Sequence, residues 1–180
     1  MNRLIRIVHV SASLIGVALI FGCADELSAP SQPQFAVAAP SLEPELQFTS
    51  CKAEPSAVSS AWVGPKGGIL RAGNHMLKVP PGALGSSVRI TMESPSGSIN
   101  RVVFKPEGLV FNAKARPHLV MNYSNCWVTS NAKQHVVYVD AALNVLEITP
   151  STTDPAAGTV DATLKHFSEY VLLSTYAVVY

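Results

Sequence analysis

Apolar and polar residues alternate in short runs along this chain, and glycine or proline separates one run from the next. In 88–92 every second residue, Val88, Ile90 and Met92, is apolar, and the residues between them are polar. This two-residue period is that of a strand with one buried face. No window keeps a helical period, so the pattern predicts an all-β domain.

Turn signals punctuate the segment 65–92 around its three apolar runs, 69–70, 76–79 and 88–92. Gly67 can adopt a positive φ without a clash at Cβ. The pair Pro81-Gly82 suits the two central positions of a β-turn. We therefore expect three strands joined by tight turns.

The same design continues downstream and predicts several more short strands. We expect Trp62 to be an early core residue, a hairpin around 140–142, and a polar loop at 150–158. The expected strands lie at 60–64, 101–104, 109–111, 117–123, 134–140 and 143–149. Short strands at regular spacing are typical of an antiparallel β-sandwich or a partly open barrel, which is the predicted fold class.

The end of the chain breaks the alternation. Val160, Ala162 and Leu164 share one face, and by the same parity His166 points inward. Phe167 then falls on the side that had been polar, which favours a bulge or kink at this point. The last residues, 170–180, are apolar on both faces, so we expect a central or covered strand.

Composition allows a real core and argues against a polyanionic partner. Apolar residues make up 48% of the 180 residues and charged residues 14%, and the net charge is +1. Removal of Arg3 and Arg6 with a leader segment would leave −1. A near-neutral chain lacks the basic footprint of nucleic-acid binding, so no nucleic-acid partner is expected.

The first 22 residues have the anatomy of an export signal: a basic start followed by an apolar run that ends at Cys23. The run is too short for a membrane span. Its end resembles a bacterial lipobox, in which the cysteine is lipidated and becomes the new N-terminus. We therefore expect a protein of the bacterial cell envelope, attached to the membrane by lipid, with its domain facing the periplasm or the exterior. The alternative is a plain cleaved signal with Cys23 incidental.

Residues 23–50 are predicted to be a flexible linker, because four prolines interrupt any helix or central strand there. The folded β-domain is then expected at 51–180. Its two cysteines, Cys51 and Cys126, are an even number in an oxidising compartment, which predicts a disulfide worth on the order of 4 kcal/mol. Two free buried thiols are the alternative.

Four motifs follow one another in an order that resembles the ZU-five domain, the β-rich module of ankyrins and netrin receptors with relatives in bacterial envelope proteins. They are 65–70 (PKGGIL), 79–84 (VPPGAL), 104–111 (FKPEGLVF) and 166–170 (HFSEY), and the likeness covers 57–178. The resemblance implies a β-sandwich-like fold and a binding or scaffolding role. It implies no enzymatic activity and no cofactor.

The resemblance also implies one reaction, because some members of the family cleave their own backbone at a His-Phe-Ser sequence. Here Ser168 would be the nucleophile, His166 the base and Phe167-Ser168 the scissile bond. A base beside a nucleophile is the arrangement that such chemistry needs. The alternative is a hydrogen-bonded core histidine without catalytic function.

Other site chemistry is sparse. No pair of histidines has metal-ligand spacing, so no metal site is predicted. Trp62, Trp127 and the tyrosines allow a carbohydrate-binding module as an alternative, although single aromatic residues on strands are commonly core residues. We therefore expect a non-enzymatic, lipid-anchored envelope protein that binds another protein or an envelope polymer.

Overall fold

The computed structural model describes residues 45–129 and 132–176, and every regular element in these ranges is a β-strand. The predicted signal peptide, Cys23 and most of the predicted linker lie outside the described residues. In chain order the strands are β1 (Glu45–Phe48), β2 (Ser50–Glu54), β3 (Ala57–Val63), β4 (Gly68–Ala72), β5 (His75–Val79), β6 (Val88–Ser94), β7 (Gly97–Ile99), β8 (Arg101–Lys105), β9 (His118–Asn122), β10 (Lys133–Val139), β11 (Val145–Ile148), β12 (Ser151–Asp154), β13 (Thr159–Thr163) and β14 (Glu169–Tyr176).

Two large sheets pack face to face. The seven-stranded sheet has the order β11-β10-β14-β8-β6-β3, with β1 also paired to β14, and the five-stranded sheet has the order β12-β13-β9-β5-β4. A small third sheet joins β2 to β7. Every described strand pairing is antiparallel. The predicted antiparallel β-sandwich is confirmed.

The core lies between the two large sheets and follows the alternation of the sequence. Ile90 and Phe104 reach it from the seven-stranded sheet, and Leu77, Leu119 and Val160 reach it from the five-stranded sheet. All five side chains are almost completely buried. Burial of one such side chain is worth about 2 kcal/mol relative to its exposed state, so the period-two pattern also fixes the strand register.

β14 is the most enclosed strand, as its two apolar faces predict. β14 pairs with β10 along one of its edges. Along its other edge, it pairs first with β8 and then with β1. Tyr170 and Leu172 point into the main core, whereas Val171 and Leu173 belong to a second apolar cluster on the opposite face. Phe48, Ile99 and Leu143 cover that second cluster.

The β-structure begins earlier than predicted. β1 and the first residue of β2 occupy 45–50, which were predicted to be linker, so the boundary at residue 51 is wrong for this part of the chain. The reason is tertiary: Phe48 covers the second apolar cluster, and the buried Thr49 hydroxyl lies 2.7 Å from that of Ser174. Neither contact has a signature in the local pattern.

Trp62 is not a core residue, and this prediction was wrong. β3 begins at Ala57 rather than at residue 60, and its parity turns Ala61 and Val63 inward and Trp62 outward. The indole is 73% exposed, and Trp62 pairs in register with Arg89 of β6. The residues of β3 that alternate with Val58, Ser60 and Trp62 face inward, and most of them have small side chains.

Several local predictions need smaller changes. Residues 151–154 of the predicted polar loop form β12, and β7 was not predicted. The expected strand at 109–111 is a single bridge between Val110 and His166. The expected glycine turns are confirmed, since Gly67 and Gly82 have φ values of 73° and 78°. β5 and β6 are not joined by a tight turn, because they belong to different sheets and residues 80–87 connect them.

The hairpin prediction around 140–142 is also confirmed, because β10 and β11 pair across this loop. Asp140 organises the loop: its Oδ1 accepts hydrogen bonds from the backbone N–H groups of Ala142 and Asn144. The hydrogen bonds from Asn144, first that of its side chain, lower the pKa of the Asp140 carboxyl.

Candidate functional site

The His-Phe-Ser sequence lies where the chain passes from one sheet to the other. β13 belongs to the five-stranded sheet and ends at Thr163, and β14 belongs to the seven-stranded sheet and begins at Glu169. The alternation breaks because residues 164–168 leave one sheet and lead into the other. The predicted bulge or kink is therefore a crossover rather than an irregularity within one strand.

Phe167 takes the core position that parity had assigned to His166. Its ring stacks on Phe104 with centroids 4.6 Å apart and meets the edge of Phe111 at 4.8 Å. His166 is only half-buried, and its ring meets that of Tyr138 at 4.9 Å. His166 therefore lies at the margin of the core against Tyr138, and Phe167 supplies the fully buried ring.

Backbone hydrogen bonds hold the peptide before Ser168 in place. The Phe167 N–H donates to the Leu109 carbonyl at 2.9 Å, and the Phe167 carbonyl accepts from the Gly108 N–H at 2.8 Å. An N–H group aimed at a carbonyl oxygen is the kind of donor that stabilises negative charge on that oxygen during acyl transfer. The Phe167 carbonyl therefore has one element of an oxyanion hole.

Ser168 directly follows the carbonyl group that it would attack, but in the described residues no base contacts its hydroxyl. Its side chain is nearly buried and lies in the wall of a cleft of about 320 Å³ that is also lined by Val103, Pro106 and Val139. In the described residues, no side-chain hydrogen bond joins the His166 ring to the Ser168 hydroxyl. The structure brings the three predicted residues together without connecting nucleophile and base.

Tyr170 fixes the backbone of the same crossover. Its hydroxyl donates to the His166 carbonyl at 2.6 Å. Burial, with smaller contributions from Glu147 and Tyr138, raises the pKa of the Tyr170 hydroxyl above its ordinary value. The phenol is therefore a hydrogen-bond donor at neutral pH and gives no base to Ser168.

Cys51 and Cys126 form the predicted disulfide, which ties β2 to the loop after β9. Asn100 lies beside it: its Nδ2 is 3.6 and 3.4 Å from the two sulfur atoms and donates to the Asn122 carbonyl at 2.8 Å. The side-chain oxygen of Asn100 is buried and has no protein partner in the described residues. The disulfide thus stands in a small polar region inside the domain.

His75 is a buried residue of this region that the sequence did not single out. Its Nδ1 accepts a hydrogen bond of 3.1 Å from the Asn122 N–H, so the neutral ring carries its proton on Nε2. Burial lowers the pKa of His75 to about 4. His75, Cys51 and Asn100 line a cavity of about 30 Å³, which is large enough for a water molecule.

A second histidine makes a hydrogen bond on the outer face of the five-stranded sheet. His118 Nδ1 and Asp161 Oδ1 are 2.7 Å apart, and both side chains are partly exposed. Lys78 and Thr163 flank His118 on the adjacent strands β5 and β13. Within 45–129 and 132–176, no three His, Cys, Asp or Glu side chains are grouped closely enough to hold a metal ion.

The most exposed apolar side chains on one strand belong to β3, the last strand of the seven-stranded sheet. Val58 is 62% exposed and Trp62 is 73% exposed, and both point away from the core together with Ser60. Among the described residues, no strand pairs with the outer edge of β3. We call this strand, with its free backbone groups and its outward residues Val58, Ser60 and Trp62, the β3 edge.

The two tryptophans do not share a strand pair. Trp127 is 66% exposed, follows the disulfide and donates its backbone N–H to the Ser50 carbonyl of β2. Trp62 lies on β3 opposite Arg89 of β6. The carbohydrate-binding module, which the sequence allowed as an alternative, stays a prediction.

Comparisons with known proteins assign no relatives: no protein-family model matches the chain, and no curated protein matches its sequence significantly. The likeness to the ZU-five domain stays a prediction from four motifs. In the part of the chain that the structure describes, no helix has the length and hydropathy needed to cross a bilayer.

Proposed function

We propose that this chain is a non-enzymatic lipoprotein of the bacterial cell envelope whose ZU-five-like β-domain binds another protein or an envelope polymer. Lipid on Cys23 would anchor it, and the residues that follow would hold the domain away from the bilayer. The β3 edge is the observation that carries the binding part of the proposal. The order of the four motifs supports the family, and the apolar run before Cys23 supports the anchor.

The β3 edge has the properties of a surface that another molecule covers. Natural proteins protect an edge strand with charge, proline, a bulge or shortness, because its unpaired N–H and C=O groups recruit other strands. β3 has seven residues, and none of them is charged or proline. A large exposed aromatic side chain is also typical of the residues that dominate protein interfaces. The physical case for binding therefore rests on backbone pairing plus Trp62.

Site-specific photo-crosslinking tests the binding proposal in the full chain, expressed in a bacterium with an intact envelope. A photoreactive residue replaces Ser60 in one variant and Thr152 in the other. Both positions are exposed, and both lie on strands that end a large sheet. We expect a covalent adduct from position 60 and little from position 152. No adduct from position 60, or equal adducts from both positions, would contradict the proposal.

Metabolic labelling tests the anchor independently. A fatty-acid analogue should label the unmodified chain and should not label Cys23→Ser. Equal labelling of both chains, or of neither, would contradict lipid attachment at Cys23. The proposal would then be an exported protein without a lipid anchor.

A second candidate function is self-cleavage between Phe167 and Ser168, and the hydrogen bond from the Gly108 N–H to the Phe167 carbonyl favours it. In this reaction the Ser168 Oγ attacks the Phe167 carbonyl carbon, and its proton passes through a base to the Ser168 nitrogen. The C–N bond breaks and an ester forms. Water then opens the ester and leaves a carboxylate on Phe167 and the hydroxyl on Ser168. His166 would have to turn away from Tyr138 to act as that base.

Intact mass in denaturant separates the two functions. A single full-length species is expected if the domain only binds, whereas self-cleavage gives a second fragment that ends at Phe167. Ser168→Ala should abolish that fragment. A fragment that persists in Ser168→Ala would exclude the serine mechanism.

A further inference from the structure

We propose that the β3 edge pairs with the β3 edge of a second copy of this chain, so that the seven-stranded sheet continues across a two-fold axis at Ser60. The inference rests on the proposed binding function and specifies its partner. Its basis is the residue order of β3, Ala-Val-Ser-Ser-Ala-Trp-Val, which is self-complementary about Ser60.

Antiparallel pairing about Ser60 places Val58 of one copy opposite Trp62 of the other, and this pair occurs twice. Both side chains point outward and are among the most exposed apolar residues of the described chain. A β-branched side chain beside an aromatic ring is a favourable cross-strand pair. On the inner face, small residues meet: Ser59 would face Ala61. Each copy would thus cover the side chains that the other exposes.

Charge also permits this pairing. A two-fold axis places the central residue of an edge strand, here Ser60, opposite its own copy, so a charge at that position would oppose itself. β3 contains no charged residue, and its neighbour β6 places Arg89 beside Trp62 and Glu93 beside Val58. In the pair of copies, Arg89 and Glu93 of opposite sign therefore flank each Val58–Trp62 contact. No like charges face each other across the new strand pair.

The other strands that end the large sheets do not offer the same surface. β1 contains Glu45, β4 contains Arg71, β11 contains Glu147, which pairs with Lys165, and β12 contains Asp154. Each of these strands has four or five residues, compared with seven in β3. A seven-residue edge leaves about three or four residues with both backbone groups free for a new ladder. Length and neutrality together single out β3.

Charge substitutions at positions 58 and 62 test the pairing and its register. Sedimentation of the full chain in mild detergent measures the dimer dissociation constant, and thermal melting checks that each variant is folded. Val58→Lys and Trp62→Glu should each raise the dissociation constant at least about tenfold, since each places a charge against an apolar side chain. Thr152→Lys on β12 is the matched control and should leave it unchanged.

Mixing the two variants provides the decisive measurement. In a mixed pair, the ammonium group introduced at position 58 of one copy lies opposite the carboxylate introduced at position 62 of the other. The remaining contact is the original Val58–Trp62 pair. We expect the mixed dimer to recover roughly tenfold in affinity over either variant alone.

Three results would overturn the inference. They are a chain that is monomeric at all concentrations, a dimer that neither substitution weakens, and a mixture that does not recover affinity. The crosslinking variant at position 60 separates this inference from the proposed function. An adduct of two copies supports both, whereas an adduct with only a different protein or polymer supports binding and excludes pairing of two copies at this edge.

Discussion

The two ends of β8 are held in place by different interactions. Beyond Lys105, the chain meets the His-Phe-Ser crossover, where Phe104, Phe111 and Phe167 pack their rings together. At the other end, Asn100 adjoins the Cys51–Cys126 disulfide. One end therefore depends on the shape of apolar side chains, and the other depends on a covalent bond and on buried polar groups.

This difference predicts different sensitivities. The packing of the three phenylalanine rings is indifferent to redox state and to mild changes of pH, because these rings carry no titrating or oxidisable group. The polar end responds to both, since a disulfide can be reduced and the nearby His75 ring can be protonated. The four predictions below test this contrast, beginning with the largest expected effect.

Phe167→Ala should lower the free energy of unfolding by about 4 kcal/mol, because it removes a fully buried ring and leaves a cavity between Phe104 and Phe111. The loss should be the same at pH 5 and pH 7. Chemical denaturation at the two pH values measures it. Trp127→Ala is the control and should cost under about 0.5 kcal/mol, as expected for an exposed side chain. Equal losses in the two variants would contradict the assigned burial.

Removing both cysteines, as Cys51→Ser with Cys126→Ser, should lower the free energy of unfolding by about 4 kcal/mol, since the disulfide closes a loop of 75 residues in the unfolded chain. Thermal melting with and without a reducing agent measures the effect. The reductant should destabilise the unmodified chain and leave the double variant unchanged. If the reductant destabilises both equally, the effect does not come from this bond.

His75 should make the domain less stable in mild acid. Its pKa is about 4 in the folded state and near 6.5 in the unfolded chain, so the unfolded state binds the extra proton between these values. Stability is therefore fully present above pH 6.5 and falls as the pH drops towards 4, by about 2 kcal/mol between pH 6.5 and 4.5.

His75→Asn removes the titrating ring and retains an acceptor for the Asn122 N–H, so its stability should fall less over this pH range than that of the unmodified chain. Urea titrations at several pH values compare the two slopes. His135→Asn, at a half-exposed position, is the control. An unchanged slope in His75→Asn would show that the acid sensitivity arises elsewhere.

Tyr170→Phe should cost about 1 kcal/mol, the smallest effect of the four, because it deletes the hydrogen bond to the His166 carbonyl and keeps the ring. Tyr138→Phe, whose ring lies 6.2 Å from that of Tyr170, is the matched control. Denaturant midpoints of the two variants provide the comparison. A larger loss of stability in Tyr138→Phe than in Tyr170→Phe would contradict the hydrogen bond assigned to the Tyr170 hydroxyl.

The alternation of apolar residues predicted the fold because each strand buries one face, and burial selects the register. The hairpin at 140–142, the inward residues of 88–92 and the enclosure of β14 all followed from local pattern. The outward orientation of Trp62 did not follow from the local pattern, because hydrophobicity does not show whether a strand will be central or at an edge. The existence of β1 did not follow from it either, since the apolar partners of Phe48 are distant in the chain.

The candidate sites divide in the same way. The pairing of Cys51 with Cys126 followed from counting cysteines, and the resemblance pointed to the His-Phe-Ser sequence. The orientation of His166 and the burial of His75 could not be predicted, since both depend on which elements surround the side chain. A histidine at the start of a strand has no local signal for a pKa near 4.

By itself the amino-acid sequence determined the all-β fold, most of its strands, the glycine turns and the disulfide, because backbone sterics, side-chain alternation and cysteine number act over a few residues or through simple counting. Only the tertiary structure decided which strands end a sheet, which ring enters the core at the crossover and which polar groups become buried. Those outcomes depend on contacts between residues distant in the chain, and the free β3 edge is one of them.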